Sequence, residues 1–245
     1  MSLLELSGID VSFGGVRALQ GVDLAVERGA VTGLIGPNGA GKTTLFDVVC
    51  GLREADAGQV VLDGREIGRL KPYRRARLGI ARTFQRLEVF GSLTARDNIR
   101  VAAEIRRRWA RDGSQPAREA EDILDLVGLR PVASALVESL PTGLARLVEL
   151  GRALAARPRV LLLDEPSSGL DEAESDELGS LLVRLAGQDL AVLLVEHHVD
   201  LVMRVCSRIH VLDFGKILAV GSAAEIQRND AVRAAYLGGT VAAAR

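Results

Sequence analysis

Apolar and polar positions alternate with a period of two along the first thirty-five residues, so "LLELSGIDVSF" and "GVDLAVERGAVTGLIG" predict short antiparallel strands. Gly14-Gly15 and Arg28-Gly29 punctuate them as turns. Within this stretch "AVTGLI" is continuously apolar, the pattern of a buried strand, and it runs straight into "GPNGAGKTT". From Lys42 the periodicity becomes helical through "KTTLFDVVCGL", and Gly51 or a neighbour ends the helix. "GQVVLDGREI" predicts a hairpin turning at Asp63-Gly64. After "ARTFQRLEVF" helical patterning runs to about Glu138; in "PAREAEDILDLVGL" the positions Ile123, Leu124 and Val127 keep a 3.6-residue period. Two continuous apolar runs follow, "VLLLDEP" and "LAVLLVEHH", which predict parallel strands buried on both faces. "RIHVLDFGKILAVG" predicts a last hairpin, and Ser222 with Glu225 a capping box on the last helix. The tail "VAAAR" is expected to fray.

Composition narrows the class. A chain of 245 residues holds one large α/β domain or two small ones and folds without staples. A net charge of -1 gives no general pull toward nucleic acid or an anionic membrane. The charge is unevenly spread, since residues 65–118 hold 15 of the 31 Lys+Arg against five acids. The run "IRRRWARD" carries a single aromatic and no interleaved stacking platforms, so this region reads as a docking surface for a protein partner. Cys50 and Cys206 both lie in apolar helical patterns and read as reduced core thiols in a cytosolic protein. With neither a signal-peptide pattern nor an apolar run of spanning length, a membrane role has to come through a partner.

Candidate chemistry begins at Gly36–Thr43, which fits G-x-x-x-x-G-K-[ST] in full between a predicted strand and a predicted helix. The glycines let successive backbone N–H groups wrap phosphates, the helix N-terminus adds its dipole, Lys42 a compact charge, and Thr43 a hydroxyl for Mg²⁺. Lysine is rare here, at 42, 71 and 216 alone, so its use at the end of this loop is a specific choice over arginine. "VLLLDEP" places two carboxylates at a strand's C-terminal end, Asp164 to hold Mg²⁺ and Glu165 to polarise an attacking water. His197 and His198, read as neighbours on a strand, point to opposite faces and so do not converge on one metal. One of them, at the strand end, reaches toward a γ-phosphate.

With these motifs in order, the chain resembles the ATP-binding subunits of ABC transporters over nearly its whole length. "GPNGAGKTT" is similar to their Walker A, "RTFQ" to the Q-loop with Gln85, "VLLLDE" to Walker B, "SGLD" with Asp171 to the D-loop, and "VEHH" to the switch histidine at His197. Phe13 in "VSFGG" matches the aromatic that stacks on adenine. The resemblance implies an α/β P-loop NTPase with a RecA-like parallel core sheet, an antiparallel β subdomain and an inserted α-helical subdomain. It implies one nucleotide-binding domain over 1–245, with its core at about 1–88 and 140–245 and the helical part at about 89–139. ATP would lie on Phe13, Gly36, Pro37, Asn38, Gly39, Ala40, Gly41, Lys42, Thr43 and Thr44, with Mg²⁺ at Thr43, Gln85 and Asp164. Glu165, His197 and Gln85 would be the catalytic set, and Asp171, Thr142 and Gly143 would reach a nucleotide across a dimer.

Within the family, "GIARTFQRLEVFGSLTARDNI", "LLVEHHVDLVMRVCSRIHVLDFGKILAVG" and "AAYLGG" are similar to the ATPases of branched-chain amino-acid importers. That likeness implies uptake of such amino acids or related small polar solutes. The implied partners are a paralogous ATPase or a second copy of this chain, two membrane permeases and, indirectly, a solute-binding protein, with no nucleic acid. The subunit would sit in the cytoplasm against the inner face of the membrane. The alternative is a soluble ABC-type ATPase that moves no solute. Two positions depart from the family. The signature usually reads leucine, serine, two glycines and glutamine, whereas Leu140 is followed by Pro141, Thr142, Gly143 and Leu144. Proline offers no hydroxyl and no N–H, though its φ suits a helix's first turn, and Thr142 stands one place late for the serine. His198 occupies a place that is often acidic.

Overall fold

The computed structural model describes residues 2–234. Strands β1 (Ser2–Phe13) and β2 (Val16–Glu27) pair antiparallel around Gly14–Gly15. They are longer than predicted, and register shifts let so long a ladder twist. Strand β3 (Val31–Ile35) is buried throughout, and helix α1 (Lys42–Cys50) ends at Gly51, whose left-handed φ of 75° closes the last turn. β4 (Ala57–Leu62) and β5 (Arg65–Glu66) form the hairpin at Asp63–Gly64, where both residues take positive φ (51° and 75°) as a two-residue turn requires.

Helix α2 (Pro72–Arg77) and strand β6 (Ile80–Arg82) have no counterpart among the predicted elements. The buried face of α2 is an arginine: Arg75 is 2% exposed and donates to the carbonyls of Val48, Val49, Gly68 and Leu70, closing the end of α1. Helix α3 (Ala95–Ala110) starts at Thr94, whose side chain accepts from Asp97 N, and α4 (Pro116–Leu126) follows. Helical structure stops at Leu126, short of the predicted Glu138. The chain beyond makes 3₁₀ turns at Arg130–Val132 and Val137–Ser139 and one bridge between Thr94 and Leu136. Then come α5 (Thr142–Ala155), β7 (Val160–Asp164), α6 (Glu172–Ala186), β8 (Ala191–Val195), α7 (Val199–Val205), β9 (Arg208–Asp213), β10 (Lys216–Gly221) and α8 (Ala223–Arg228). Ser222 and Glu225 do form the capping box of α8. The tail "VAAAR" and most of "AAYLGG" lie outside the described residues.

The strands make two sheets. One is antiparallel in the order β2-β1-β4-β5; the other runs β10-β9-β3-β8-β7-β6, parallel except for β10. Side chains along the second sheet divide by the period of two. Ile35, Leu161, Leu163, Val192 and Leu194 enter a core shared with α3, α4, α5 and α6, whereas Leu34, Leu162, Leu193 and Val195 face α1 and the antiparallel sheet. Cys50 packs on the second of these cores and Cys206 in the first, so the two free thiols lie on opposite sides of the sheet. Burial pushes them up to about 11 and about 12, which keeps them neutral and unreactive. Among the described residues no helix is long and apolar enough to cross a membrane.

Candidate active site

The C-terminal ends of β3, β7 and β8 bring most of the predicted site residues together, at the edge where a parallel sheet presents its loops. The loop from Gly36 to Gly41 leaves β3 under tight steric limits. Gly36 has φ 154°, and a Cβ there would stand 1.9 Å from the Leu212 carbonyl oxygen; at Gly41 (φ 110°) it would meet the Ala18 oxygen at 2.6 Å. Gly215 N donates to Ala40 O (3.0 Å), tying the loop to the β9–β10 turn. Lys42, 8% exposed, turns its Nζ back to donate to the carbonyls of Gly36 (2.7 Å) and Pro37 (2.9 Å). Burial lowers its pKa, opposed by the charges of Glu165 and Asp164, which places all three in one electrostatic cluster. Asn38, Gly39 and Thr43 are exposed at the mouth, with Thr44 half-buried.

Asp164 ends β7 and is 2% exposed. Its Oδ2 accepts from the Arg82 guanidinium at 3.1 Å, and its N–H donates to Thr83 Oγ1 at 3.2 Å. Arg82 also reaches Asp47 of α1 at 2.5 Å and lies between the rings of Phe46 and Phe84. Desolvation raises the Asp164 pKa, and Arg82 and Lys42 oppose the rise. Glu165 takes left-handed φ 52°, unusual for a residue with a side chain. Its Oε1 receives His197 Nε2 at 3.0 Å and Gln85 Nε2 at 3.4 Å, so the three residues of the expected catalytic set meet at one carboxylate oxygen.

The histidines correct the reading of them as strand neighbours. β8 ends at Val195, and both lie beyond it, exposed, with His198 as the N-cap of α7. The signature segment differs by one position from expectation as well: Pro141 is the N-cap of α5, not part of its first turn, and no side chain caps that end. Thr142 is exposed and Gly143 buried against the 168–171 loop, where a Cβ on Gly143 would come 2.8 Å from Gly169 O and 2.6 Å from Leu170 Cδ2. Asp171 caps α6 through a reciprocal bond pair with Glu174. Thr142 and Gly143 thus pack on the loop that leads into Asp171, and no hydrogen bond among the described residues joins these three to the Glu165 cluster. Phe13, 48% exposed at the end of β1, carries the Arg53 guanidinium 4.4 Å over its ring.

Three further groups escaped the sequence reading. Arg146 and Glu149 of α5 hold the Gln85 loop, Arg146 donating to the carbonyls of Phe84 (2.6 Å) and Gln85, and Glu149 accepting from Phe84 N at 3.1 Å. Arg82 pairs with Asp164, and Glu196 is a buried carboxylate directly after β8. The signals present were a lone arginine in "GIARTF" and an acid closing an apolar run in "LLVEHH".

A family model described as ABC transporter matches residues 19–168. The chain belongs to the ATP-binding subunits of ABC transporters. As such it is an ATPase whose hydrolysis of ATP is coupled to transmembrane transport, and subunits of this kind act as dimers with membrane permease components. A second model, of branched-chain amino acid ATP-binding cassette transporters, matches residues 216–242 of this ATPase. It is 37% identical to the high-affinity branched-chain amino acid transport ATP-binding protein BraF of Pseudomonas aeruginosa, over 96% of this chain and 98% of that one. It is 34% identical to the lipopolysaccharide export system ATP-binding protein LptB of Haemophilus influenzae, over 97% and 98%. In three dimensions the ATPase resembles MJ1267, a solved ATP-binding cassette of an ABC transporter, with a TM-score of 0.87 and 28% identity over 96% of this chain and 99% of that one.

Proposed function

We propose that this ATPase powers uptake of branched-chain or other hydrophobic amino acids, or related small polar solutes, and that Glu165 is the general base of its hydrolysis. The observation that carries the catalytic part is the meeting of Gln85 and His197 on Glu165 Oε1, next to Lys42 and Asp164. ATP entering this site draws Lys42 off the Gly36 and Pro37 carbonyls and onto phosphate, where the loop amides add their N–H groups. The γ-phosphate takes the His197 contact, which frees the Glu165 carboxylate to accept a proton from water. Thr43, Gln85 and Asp164 offer a hydroxyl, an amide oxygen and one carboxylate, a hard oxygen set suited to Mg²⁺ that leaves room for water and phosphate ligands. Bound there, Mg²⁺ neutralises charge developing on the phosphates. Phe13 receives adenine on a ring face now covered by Arg53. Thr142, Gly143 and Asp171 serve the nucleotide held by the opposing ATPase.

The chain works as one nucleotide-binding domain, its core at about 1–88 and 140–245 and its helical part at about 89–139. A cavity of about 700 Å³ lies between these parts, with Leu52, Tyr73, Phe84 and Phe90 exposed along it and Arg75, Arg82 and Arg152 in its wall. It opens beside the Gln85 loop, which makes it the place where a permease segment would feel the nucleotide, on the cytoplasmic side of the membrane. The altered signature supports pairing with a paralogous ATPase that carries the usual one. Likeness to BraF and the match at 216–242 support import of amino acids. The comparable likeness to LptB makes export the outcome the assay has to separate.

The test is reconstitution in vesicles with the paralogue, the permeases and the binding protein, following ATP-driven movement of labelled leucine. Glu165→Gln should retain ATP binding and lose at least about a hundredfold in turnover, because it removes the base and leaves the phosphate cradle. Near-normal turnover in that variant defeats the catalytic reading, and outward movement of solute defeats import.

A further inference from the structure

One buried charge beside the site has no part in the mechanism above. Glu196, the first residue after β8, is 2% exposed, and both its oxygens are engaged by backbone N–H groups: Oε1 accepts from Ser167 at 2.8 Å and Oε2 from His197 at 3.2 Å. We propose that Glu196 is a positioning residue that holds the backbones of Glu165 and His197 in register for hydrolysis. The proposal rests on the roles given to those two residues above.

The reason lies in how weakly each is otherwise placed. Glu165 at φ 52° occupies a conformation unfavourable for a non-glycine residue, which persists where its surroundings impose it. Its N–H donates to Val195 O at 2.9 Å, extending the β7–β8 ladder by one bond, and its carbonyl accepts from Ser168 N at 3.2 Å, closing a tight turn. Ser167 is inside that turn, and its N–H goes across to Glu196. On the other side His197 stands outside β8, exposed, with its ring on Glu165 Oε1. Its N–H goes to the other oxygen of the same Glu196 carboxylate. One buried anion therefore fixes the main chain on both sides of the 3.0 Å contact between base and histidine. A charged acceptor in a dry setting makes stronger bonds than a neutral one, which suits a clamp whose two loops move if either bond is lost. Glu196 does this through main-chain N–H groups, which take up both of its oxygens.

A merely structural role would lower stability and nucleotide binding together; a positioning role lowers the chemical step selectively. The experiment uses the full chain paired with the paralogue and compares Glu196→Gln and Glu196→Ala with Glu165→Gln, measuring ATP turnover, KM, affinity for a fluorescent ATP analogue and the thermal midpoint. Glutamine keeps one acceptor for Ser167 N and turns an NH₂ toward the His197 N–H, so kcat should fall about tenfold, and about a hundredfold in the alanine variant, which keeps neither. KM and analogue affinity should stay within about threefold of the native chain. If the alanine variant does not fold, the glutamine variant decides alone. The proposal is overturned if, where Glu165→Gln is inactive, the Glu196 variants turn over at the native rate, or lose nucleotide affinity in proportion to kcat. Full turnover in Glu165→Gln would instead remove the reading of the base on which the proposal stands.

Discussion

His210 gives the sharpest quantitative prediction, because it is buried and, among the described residues, nothing holds its polar atoms. It lies on β9 between Leu34 of β3 and Val220 of β10, 4% exposed. It faces the Ala25 backbone of β2 without reaching hydrogen-bond geometry, so neither ring nitrogen has a partner among the described residues. Burial, aided by the nearby charge of Arg208, pushes its pKa down from 6.5 to about 4. The sign follows from proton uptake: below pH 6.5 the unfolded chain binds a proton that the folded chain refuses until about pH 4. Stability tied to this residue is therefore complete above pH 7 and is lost as pH falls from about 6.5 to about 4. Linkage between those two values gives a loss of about 2 kcal/mol at pH 5 and about 3 kcal/mol at pH 4. The perturbation is His210→Leu, which replaces an unpaired polar ring with an apolar side chain and should change stability by about 1 kcal/mol or less at pH 7.5. Urea unfolding followed by circular dichroism at pH 7.5 and pH 5 supplies the assay. The variant's advantage should grow by about 2 kcal/mol between the two, since the other titrating groups are common to both chains. An advantage that stays the same at both pH values refutes the account of His210.

Three substitutions probe the site itself. Lys42→Ala should weaken ATP affinity about tenfold or more by removing the charge-assisted contact to phosphate, and unchanged affinity in a nucleotide titration would count against the phosphate loop. Gly36→Ala places a Cβ 1.9 Å from a main-chain oxygen that cannot yield cheaply. It should cost about 2 kcal/mol or more by chemical denaturation, together with loss of nucleotide binding. Arg82→Met leaves Asp164 charged and buried without its partner, and denaturant unfolding should register a loss of about 3 kcal/mol.

What the sequence disclosed depended on whether a constraint was local. The phosphate loop was legible because its glycines answer to backbone geometry: positive φ at Gly36, Gly39 and Gly41, with a close approach at the first and last. The hairpin at Asp63–Gly64 and the Ser222 cap were legible on similar grounds, each needing specific residues within four positions. β7 and β8 showed as apolar runs because helices on one face, and α1 with the antiparallel sheet on the other, cover them. α2 was invisible because Arg75 does the work of its buried face, and no count of apolar periodicity registers a guanidinium that closes another helix's carbonyls. Arg82, Glu149 and Glu196 were missed for a related reason. Each acts on at least one residue 29 to 82 positions away, so its meaning exists only after folding.

The altered signature shows the same division within one motif. Pro141 sits at the N-cap, where a missing N–H costs the helix nothing, and the first turn of α5 closes normally with Ala145 N on Pro141 O at 3.0 Å. Leu144 turns into the shared core, and Gly143 keeps the close approach to Gly169 that a Cβ would forbid. One and two turns further along, the helix grips the Gln85 loop through Arg146 and Glu149. Helix α5 thus packs on its own 168–171 loop and holds its own Gln85 loop without the serine hydroxyl of the family pattern. Of the three departures from the pattern, two, at Pro141 and Thr142, fall at the exposed tip of the helix, and the third, Leu144, packs inward. Under the pairing proposed above, a partner chain bearing the usual signature would bring to this chain's own nucleotide the serine that Pro141 does not offer in return.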